Sequence, residues 1–435
     1  MDANARQRIL EELEFAAKSA FETEGAKAWN HGWAYEEYRH SDSPVFRTPN
    51  GWVGFTADGI TSLEKAVNHL SASANIRRIW DIEDLWPICV DAVATLPKTE
   101  KLMDILGQRL HQLESPKKTL VATALANVGW ETDPLVIANL VIGHVDDRWR
   151  ALVADLTKGK VQIPDPSKEI WWLADDAGEL VALATHVAEQ LGKAVSVAER
   201  RFEAVVDAAL LSALDPDGLG LFSGRGGSHK PGVRGIILDR SALRKIADEN
   251  PRLSRELASF THLESGFGLS PSFRWFAEQP FPLDKLLSTH QVKARAERAA
   301  TATDTAWARI ATAGFWHAKS FWADDPNDAV LACGIAFDAL LAERGGSPGR
   351  VLAERFALLE PERPKRRERM KHFGQVYAYR NAVAHGAQRS DTSLKVRSIE
   401  ADVRWAADRL MDLIEKRAVS SEDDMTELFE SLKWG

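Results

Sequence analysis

Start and stop signals for α-helices punctuate the last third of the chain, and they restrict this region to a series of helices joined by short links. Asp325 precedes Pro326, which pairs an N-cap residue with a proline suited to the first helical turn. The apolar stretch that follows stops at Gly345-Gly346, and Gly386 closes a later stretch in the position favoured for a C-terminal cap. Helices with such short connections pack as a compact bundle.

The helical pattern extends over most of the chain. In the last third it predicts helices over residues 294–323, 326–343, 349–359, 364–385 and 392–417. In the first two thirds it predicts a helix over 4–23, a small hairpin around Pro49-Asn50-Gly51, short amphipathic helices between 61 and 155, and a long helix over 174–214 broken near Gly192. The predicted fold class is therefore mainly α and multi-domain, with minor β-hairpins in the N-terminal region.

Composition shifts divide the chain into four predicted segments. These are a helical N-terminal domain with a small hairpin (1–156), a mainly helical middle region with a glycine-rich loop (168–290), a helical bundle (295–417) and an acidic tail (418–435). The Lys- and Pro-rich residues 157–167 are predicted as a linker. The glycine-rich stretch 215–235 lacks the Gly-Lys-Ser/Thr ending of a phosphate-binding loop, so we predict a surface loop there.

Cysteine usage, hydropathy and motif content exclude several classes of protein. Only Cys89 and Cys333 occur, far apart, which excludes a disulfide framework and a cysteine zinc site. The first 18 residues are charged and helix-periodic, unlike a signal peptide, and no apolar run approaches the length of a membrane span. The chain has no His-Glu-x-x-His or Cys-x-x-Cys motif. We expect a soluble, cytoplasmic protein that does not associate with membranes.

The net charge of −8 is distributed unevenly along the chain. Residues 1–289 are acidic, whereas residues 290–417 carry 22 Lys and Arg against 17 Asp and Glu. A uniformly basic nucleic-acid coat is excluded, because the summed field repels phosphates at long range. A local site for a polyanion is still permitted in the last third of the chain.

One stretch in the last third carries polar groups suited to chemistry near a predicted helix end. Tyr377, Asn381 and His385 are spaced by four and share one helix face, so the Asn381 amide is placed to orient the His385 imidazole. Arg380 lies about 140° round the helix from His385, at ~100° per residue. The two side chains therefore converge only if the last turn relaxes at Gly386 or if a second subunit supplies one of them.

The Arg-x4-His arrangement, with Asn directly after Arg380, resembles the active motif of HEPN domains. The apolar helix predicted upstream, with Asp338 as its acidic residue and Phe337 in place of the usual leucine, resembles the Leu-Glu-Ala-Leu helix of the Apea-like HEPN group. The Tyr-x-x-Arg lead-in and the His-Gly ending also fit that group. The resemblance covers about residues 295–417. Ala387 stands where nucleotidyltransferase-associated HEPN toxins carry a tyrosine, so regulation through that tyrosine is not supported.

The resemblance implies a metal-independent endoribonuclease, in which paired bundles bring two motifs into one cleft of a homodimer. His385 would be the general acid/base for attack of an RNA 2′-hydroxyl on the adjacent phosphate. Arg380 would stabilise charge on that phosphate, and Asn381 would orient His385 or bind the phosphate. Asp338 would hold Arg380 or the imidazole. The implied product is a 2′,3′-cyclic phosphate, and no metal or cofactor is implied.

Each of these residues also has a structural interpretation. Arg380 and His385 at a helix end stabilise the helix dipole, and Asp338 in an apolar helix pairs with Arg380 to hold a bundle together. Tyr377 fits core packing better than chemistry. The basic run upstream of the motif is predicted either to guide an RNA backbone or to form a solvated helix face. Its candidate RNA-binding residues are Arg366, Arg367 and Lys371.

Two functions of different classes follow from the sequence. The first is a gated toxin or anti-phage defence ribonuclease, in which residues 1–290 restrain the site or bind a trigger protein or an antitoxin, because an unrestrained ribonuclease damages its host. The second is a non-catalytic HEPN protein, whose bundle only dimerises while its N-terminal helical region binds a protein partner. The overall negative charge and the lack of a recognisable nucleic-acid module in residues 1–290 favour the second.

Overall fold

The structure is a computed structural model that describes part of the chain in detail. The described residues are 3–22, 45–48, 51–80, 82–94, 106–108, 110–111, 119–156, 158, 181–187, 191–213, 230–236, 280–343, 349–386 and 392–434. Their helices are α1 (Ala3–Ser19), α2 (Ala57–Ala72), α3 (Ala74–Ile79), α4 (Ile82–Ala94), α5 (Asp147–Leu156), α6 (Leu191–Ser212), α7 (Leu283–Leu287), α8 (His290–Ala300), α9 (Thr305–Phe321), α10 (Pro326–Leu341), α11 (Gly349–Leu358), α12 (Arg363–Ala384), α13 (Thr392–Arg417) and α14 (Glu422–Trp434). Their strands are β1 (Ala20–Glu22), β2 (Val45–Thr48), β3 (Gly51–Phe55), β4 (Thr119–Ala126), β5 (Val128–Gly129), β6 (Leu135–Ile137), β7 (Leu140–His144), β8 (Val181–Val187), β9 (Gly232–Ile236) and β10 (Phe281–Pro282).

The predicted fold class, mainly α and multi-domain, is confirmed. In the last third, the helix limits lie close to those predicted from the start and stop signals. Helices α10 to α13 begin and end within two residues of their predicted limits. Asp325 caps α10 by accepting a hydrogen bond from the backbone N–H of Asn327 at 2.7 Å. The prediction of one helix over 294–323 was wrong, because α8 and α9 are separate. Asp304 accepts from the N–H of Trp307 at 2.8 Å and starts a new helix there.

The N-terminal region packs two long helices against a small sheet. Strands β2 and β3 pair antiparallel with Thr48 opposite Gly51, which confirms the predicted hairpin, and β1 pairs with the other side of β3. The apolar faces of α1 and α2 bury residues such as Ile9, Leu13 and Leu63 against this sheet and α4. The first helix ends at Ser19, earlier than predicted, because the chain continues as β1.

The centre of the chain is a five-stranded antiparallel sheet, which corrects two predictions. The strand order is β6-β7-β8-β4-β9. Residues 119–144 were predicted as amphipathic helices, and residues 181–187 as part of a helix over 174–214; both are strands. The linker predicted at 157–167, apart from Lys158, and most of the loop predicted at 215–235 lie outside the described residues.

The described residues of β7 and β8 are buried on both faces, which removes the alternation that identifies a strand in a sequence. One face of the sheet packs on α6 and the bundle core through residues such as Val121 and Leu183. The opposite face packs on α5 through residues such as Ala182 and Trp149. Because most positions of β4 and β8 are apolar and alanine is common in both, their pattern cannot be distinguished from that of a buried helix.

A single apolar core joins the sheet, α6 and the helices of the bundle. Helix α6 contacts α8, α9 and α13 as well as the sheet, so it passes between the two parts. Residues 422–434, within the predicted acidic tail, form α14, which buries Met425, Leu428 and Phe429 in the same core. The predicted domain limits of 1–156, 168–290, 295–417 and 418–435 stay predictions. No helix among the described residues combines the length and the apolar character that a bilayer crossing requires.

Candidate functional site

Three phenyl rings hold together the helices that carry the predicted site residues. Phe337 of α10, Phe356 of α11 and Phe373 of α12 are buried, and their ring centroids lie 4.8 to 5.8 Å apart. Aromatic clusters of this kind bury large apolar areas and favour edge-to-face contacts. Asp338 follows Phe337, and Tyr377 lies one turn after Phe373, so the cluster brings these two polar side chains together.

Arg380 crosses the surface of α10 at a glycine. A Cβ on Gly334 would lie 2.7 Å from both Cγ and Nε of Arg380, so the arginine can take this path only beside a residue without a side chain. Its Nη2 lies 3.9 Å from Oδ2 of Asp338, and its Cζ lies 5.5 Å from the centroid of the Tyr377 ring. The side chain is 26% exposed. The guanidinium is therefore fixed along one side while part of it stays accessible to a ligand.

Asp338 accepts a hydrogen bond from the Tyr377 hydroxyl, with 3.3 Å between the oxygens. Partial burial raises the pKa of the Asp338 carboxyl, and the charge of Arg380 and the hydrogen bond from Tyr377 oppose that rise. Burial, reinforced by the nearby Asp338 carboxylate, raises the pKa of Tyr377. The structure thus places Asp338 beside Arg380, one of the two positions predicted for it, and gives Tyr377 a polar contact in addition to packing.

Asn381 contacts the arginine and not the histidine ring. Its Oδ1 accepts a hydrogen bond from Nη1 of Arg380 at 3.1 Å. The backbone oxygen of Asn381 accepts from the backbone N–H of His385 at 3.0 Å, which is a helical bond. The amide predicted to orient the imidazole is instead engaged by the neighbouring guanidinium, a stronger donor because it is charged.

His385 ends α12 and is exposed. It is the C-cap residue, with φ −93° and ψ 16°, and the next residue, Gly386, has φ +85°. The N–H of Gly386 donates to the backbone oxygen of Val383 at 2.9 Å, which closes the helix as the sequence predicts. The imidazole makes no hydrogen bond to another described residue, so with respect to that part of the chain it is accessible to a ligand or a second copy.

A groove of about 520 Å³ runs between α11 and α12 and reaches the motif at Tyr377 and Asn381. Its charged lining consists of Arg350, Arg367 and Lys371, all of them exposed, and it contains no carboxylate. None of the three cations forms an ion pair with a described residue. The groove is therefore a concave, cationic surface next to Arg380.

Arg366, a predicted RNA-binding residue, is used elsewhere. Its Nε donates to the backbone oxygen of Glu360 at 2.9 Å, and its Nη1 donates to the backbone oxygen of Leu432 at 2.7 Å. This arginine therefore fastens α14 to the start of α12. The two other predicted RNA-binding residues, Arg367 and Lys371, both line the groove.

Sequence reasoning missed the residues whose importance depends on contacts between helices. Gly334 lies within an apolar helix, where a glycine lowers helix stability, and that cost is a signal that a close approach occurs there. Arg350 lines the groove only because α11 packs on α12, and the sequence around it gives no sign of a binding role.

In the described part of the chain, no three His, Cys, Asp or Glu side chains are gathered as a metal ion would require. Comparison of the chain with models of known protein families, with characterised proteins and with solved structures gives no match. The resemblance to HEPN domains therefore stays a prediction from the motif and its surroundings.

Proposed function

We propose that the protein is a metal-independent endoribonuclease of the HEPN type. The observation that carries the proposal is the placement of Arg380. Contacts with Gly334, Asp338 and Asn381 hold it beside Asn381, which lines a cationic groove, on the helix that ends at the exposed His385. A positioned guanidinium and an accessible imidazole beside a groove for a polyanion are the groups that phosphodiester transfer needs.

In the proposed reaction, His385 takes the proton of an RNA 2′-hydroxyl as that oxygen forms a bond to the adjacent phosphorus. The bond from phosphorus to the 5′-oxygen breaks, and a protonated imidazole gives this oxygen a proton. Arg380 donates to the phosphate oxygens, where negative charge increases. The products are a 2′,3′-cyclic phosphate and a 5′-hydroxyl, and no cofactor takes part.

The proposal includes a homodimer, because the His385 ring has no orienting partner within the described part of one chain. A second copy across a twofold axis supplies a second arginine and a second histidine to one cleft. We propose further that residues 1–290 restrain this cleft or bind a trigger or antitoxin protein, as a toxin or defence effector in the cytoplasm requires.

The test is cleavage of a labelled single-stranded RNA by the full-length protein in the presence of a chelator. His385→Ala is expected to lower the rate about 10²- to 10⁴-fold, the range of general acid–base catalysis. His290→Ala, which removes another exposed histidine at a helix end, is the matched control and keeps the wild-type rate. Equal cutting by wild type and His385→Ala, or loss of all cutting with chelator, would contradict the mechanism.

A non-catalytic interaction protein is the second candidate, and one observation favours it. The Oδ1 of Asn381 accepts a hydrogen bond from Arg380, and no hydrogen bond joins the Asn381 side chain to the His385 ring among the described residues. In that case the motif only holds α10 and α12 together, and residues 1–290 bind a protein partner. Expression of the chain would then be equally tolerated with Arg380→Ala, with His385→Ala and without substitution, whereas a ribonuclease is toxic until one of these residues is removed.

A further inference from the structure

We infer that the groove between α11 and α12 is a phosphate-binding subsite that holds the backbone of a single-stranded RNA and leads it to Arg380. The inference deepens the proposed function and rests on it for the choice of RNA. It adds Arg350 to the site, removes Arg366 from it, and assigns the groove to binding and not to the chemical step.

The charges of the groove converge from two helices. Arg350 extends from the first turn of α11, while Arg367 and Lys371 are one turn apart on α12 and so lie on one face. Other arginines nearby are engaged by the protein: Arg369 pairs with Glu360 at 3.2 Å, and Arg366 donates to two backbone oxygens. The groove cations form no ion pair with a described residue, and no carboxylate lines the groove, so their donors are available to a ligand.

Small residues keep the groove open. Ala353 on α11 lies opposite Gly374 and Ala378 on α12, while the Tyr377 ring packs at Gly349, where a Cβ would lie 2.9 Å from Cδ1 of the ring. A Cβ added at Gly374 would meet no heavy atom within 4 Å, so the space above it is empty. A volume of about 520 Å³ lies within the roughly 300–1,000 Å³ of sites that hold small ligands, and it suits one or two nucleotides of a strand.

A nucleic-acid strand fits this surface better than a membrane does. The groove is concave, and Met370 is its one large apolar residue with a substantially exposed side chain. A membrane-binding surface instead presents a protruding set of apolar side chains with cations around them. The groove also ends at Asn381, next to the guanidinium that the proposed reaction uses, so a strand lying in it has a phosphate close to Arg380.

Binding is measured without cleavage, using the full-length protein and a fluorescent 2′-O-methyl RNA 12-mer whose blocked 2′-oxygens cannot attack. Fluorescence anisotropy at several salt concentrations gives Kd and its salt dependence. Arg350→Gln and Lys371→Gln are each expected to weaken binding about fivefold and to reduce the slope of log Kd against log salt by about 0.7, the value for one phosphate contact of a single strand. Lys365→Gln, on the same helix but outside the groove, is expected to bind within twofold of wild type.

A second pair of variants separates charge from bulk. Gly374→Glu places a carboxylate in the open groove and is expected to weaken binding at least tenfold, whereas Gly374→Gln adds nearly the same volume without charge and is expected to weaken it less than threefold. Equal loss in these two variants, wild-type affinity in Arg350→Gln and Lys371→Gln, or binding of phosphatidylserine vesicles in place of the 12-mer would overturn the inference. If the groove variants lose binding while wild type cuts no RNA, the subsite stands and the nuclease proposal fails.

Discussion

Arg380 and Gly334 lie so close together that no carbon atom fits between them. A Cβ on Gly334 would come within 2.7 Å of Cγ and Nε of the arginine, well inside normal contact distance. This approach sets the path of the guanidinium from α12 across α10 towards Asp338 and Asn381. The position of the candidate catalytic arginine therefore depends on a residue that makes no polar contact with it.

We predict that Gly334→Ala lowers RNA cleavage at least tenfold while the protein stays folded. The new methyl group displaces Arg380 from Asp338, whereas alanine itself favours a helix interior by about 1 kcal/mol over glycine. Cleavage rates and thermal unfolding of the variant check both parts. In a double-mutant cycle with Arg380→Ala, adding Gly334→Ala should cause no further loss; a further loss would show that the methyl group acts on something other than Arg380.

Asp338→Asn is expected to lower cleavage by about fivefold or less. The amide oxygen still accepts the hydrogen bond from Tyr377, while the ion pair with Arg380 is lost, and partly exposed pairs at such distances contribute at most about 1 kcal/mol. Single-turnover rates of the two proteins at neutral pH provide the measurement. A loss as large as that of His385→Ala would mean that Asp338 itself takes part in proton transfer.

Neighbouring arginines should respond in opposite ways to the same substitution. Arg366→Ala removes hydrogen bonds to the backbone oxygens of Glu360 and Leu432, so it is expected to lower the free energy of unfolding by about 1–2 kcal/mol and leave RNA affinity unchanged. Arg367→Ala removes a cation of the groove and should weaken RNA binding with little change in stability. Urea unfolding and anisotropy on both variants test the contrast, and loss of affinity in Arg366→Ala would restore it to the binding site.

Asp207 of α6 makes stability depend on pH. The residue is 7% exposed, and burial raises its pKa from 3.8 to about 8, with Lys230 opposing and Glu203 adding to the rise. At a pH between these two pKa values, Asp207 is protonated in the folded chain and ionised in the unfolded chain. The free energy of unfolding therefore falls as pH rises from about 4 to 8, and this group contributes up to about 1.4 kcal/mol per pH unit to the fall. Asp207→Asn should flatten this decline and stabilise the protein at pH 8. Parallel pH profiles of the two proteins in urea unfolding would contradict the assignment.

The bundle could be predicted from the sequence because its signals are local. Asp325 caps a helix from two residues away, and Gly386 ends one by its own conformation. The sheet could not be predicted in this way. Strand β8 is mostly small and apolar, and its two faces pack on α6 and α5. The turn between β6 and β7 passes through Ala138 and Asn139, both at positive φ. Alanine is not a residue that marks such a turn.

For the candidate site, the sequence predicted which residues take part better than it predicted the contacts between them. Asp338 lies beside Arg380, which is one of the two positions predicted for it. This contact could be predicted because the apolar residues on α10 and α12 determine which faces of the two helices pack together. For Asn381 the structure shows a hydrogen bond from Nη1 of Arg380, a contact that the spacing did not predict, and its two predicted roles, orienting His385 or binding the phosphate, stay predictions. The groove was not predicted, since it exists only where α11 packs on α12.

The left-handed conformation of Gly386 limits how this chain can change during evolution. An L-residue with a Cβ is strained at φ +85°, and asparagine is the substitute that tolerates it best. Substitution at that one position carries a strain that glycine avoids, whereas the exposed Ala384 just before the motif histidine is under no comparable restriction. Replacing the glycine by a β-branched residue would change the conformation in which the helix ends. It would therefore also change the position of the adjacent His385 side chain.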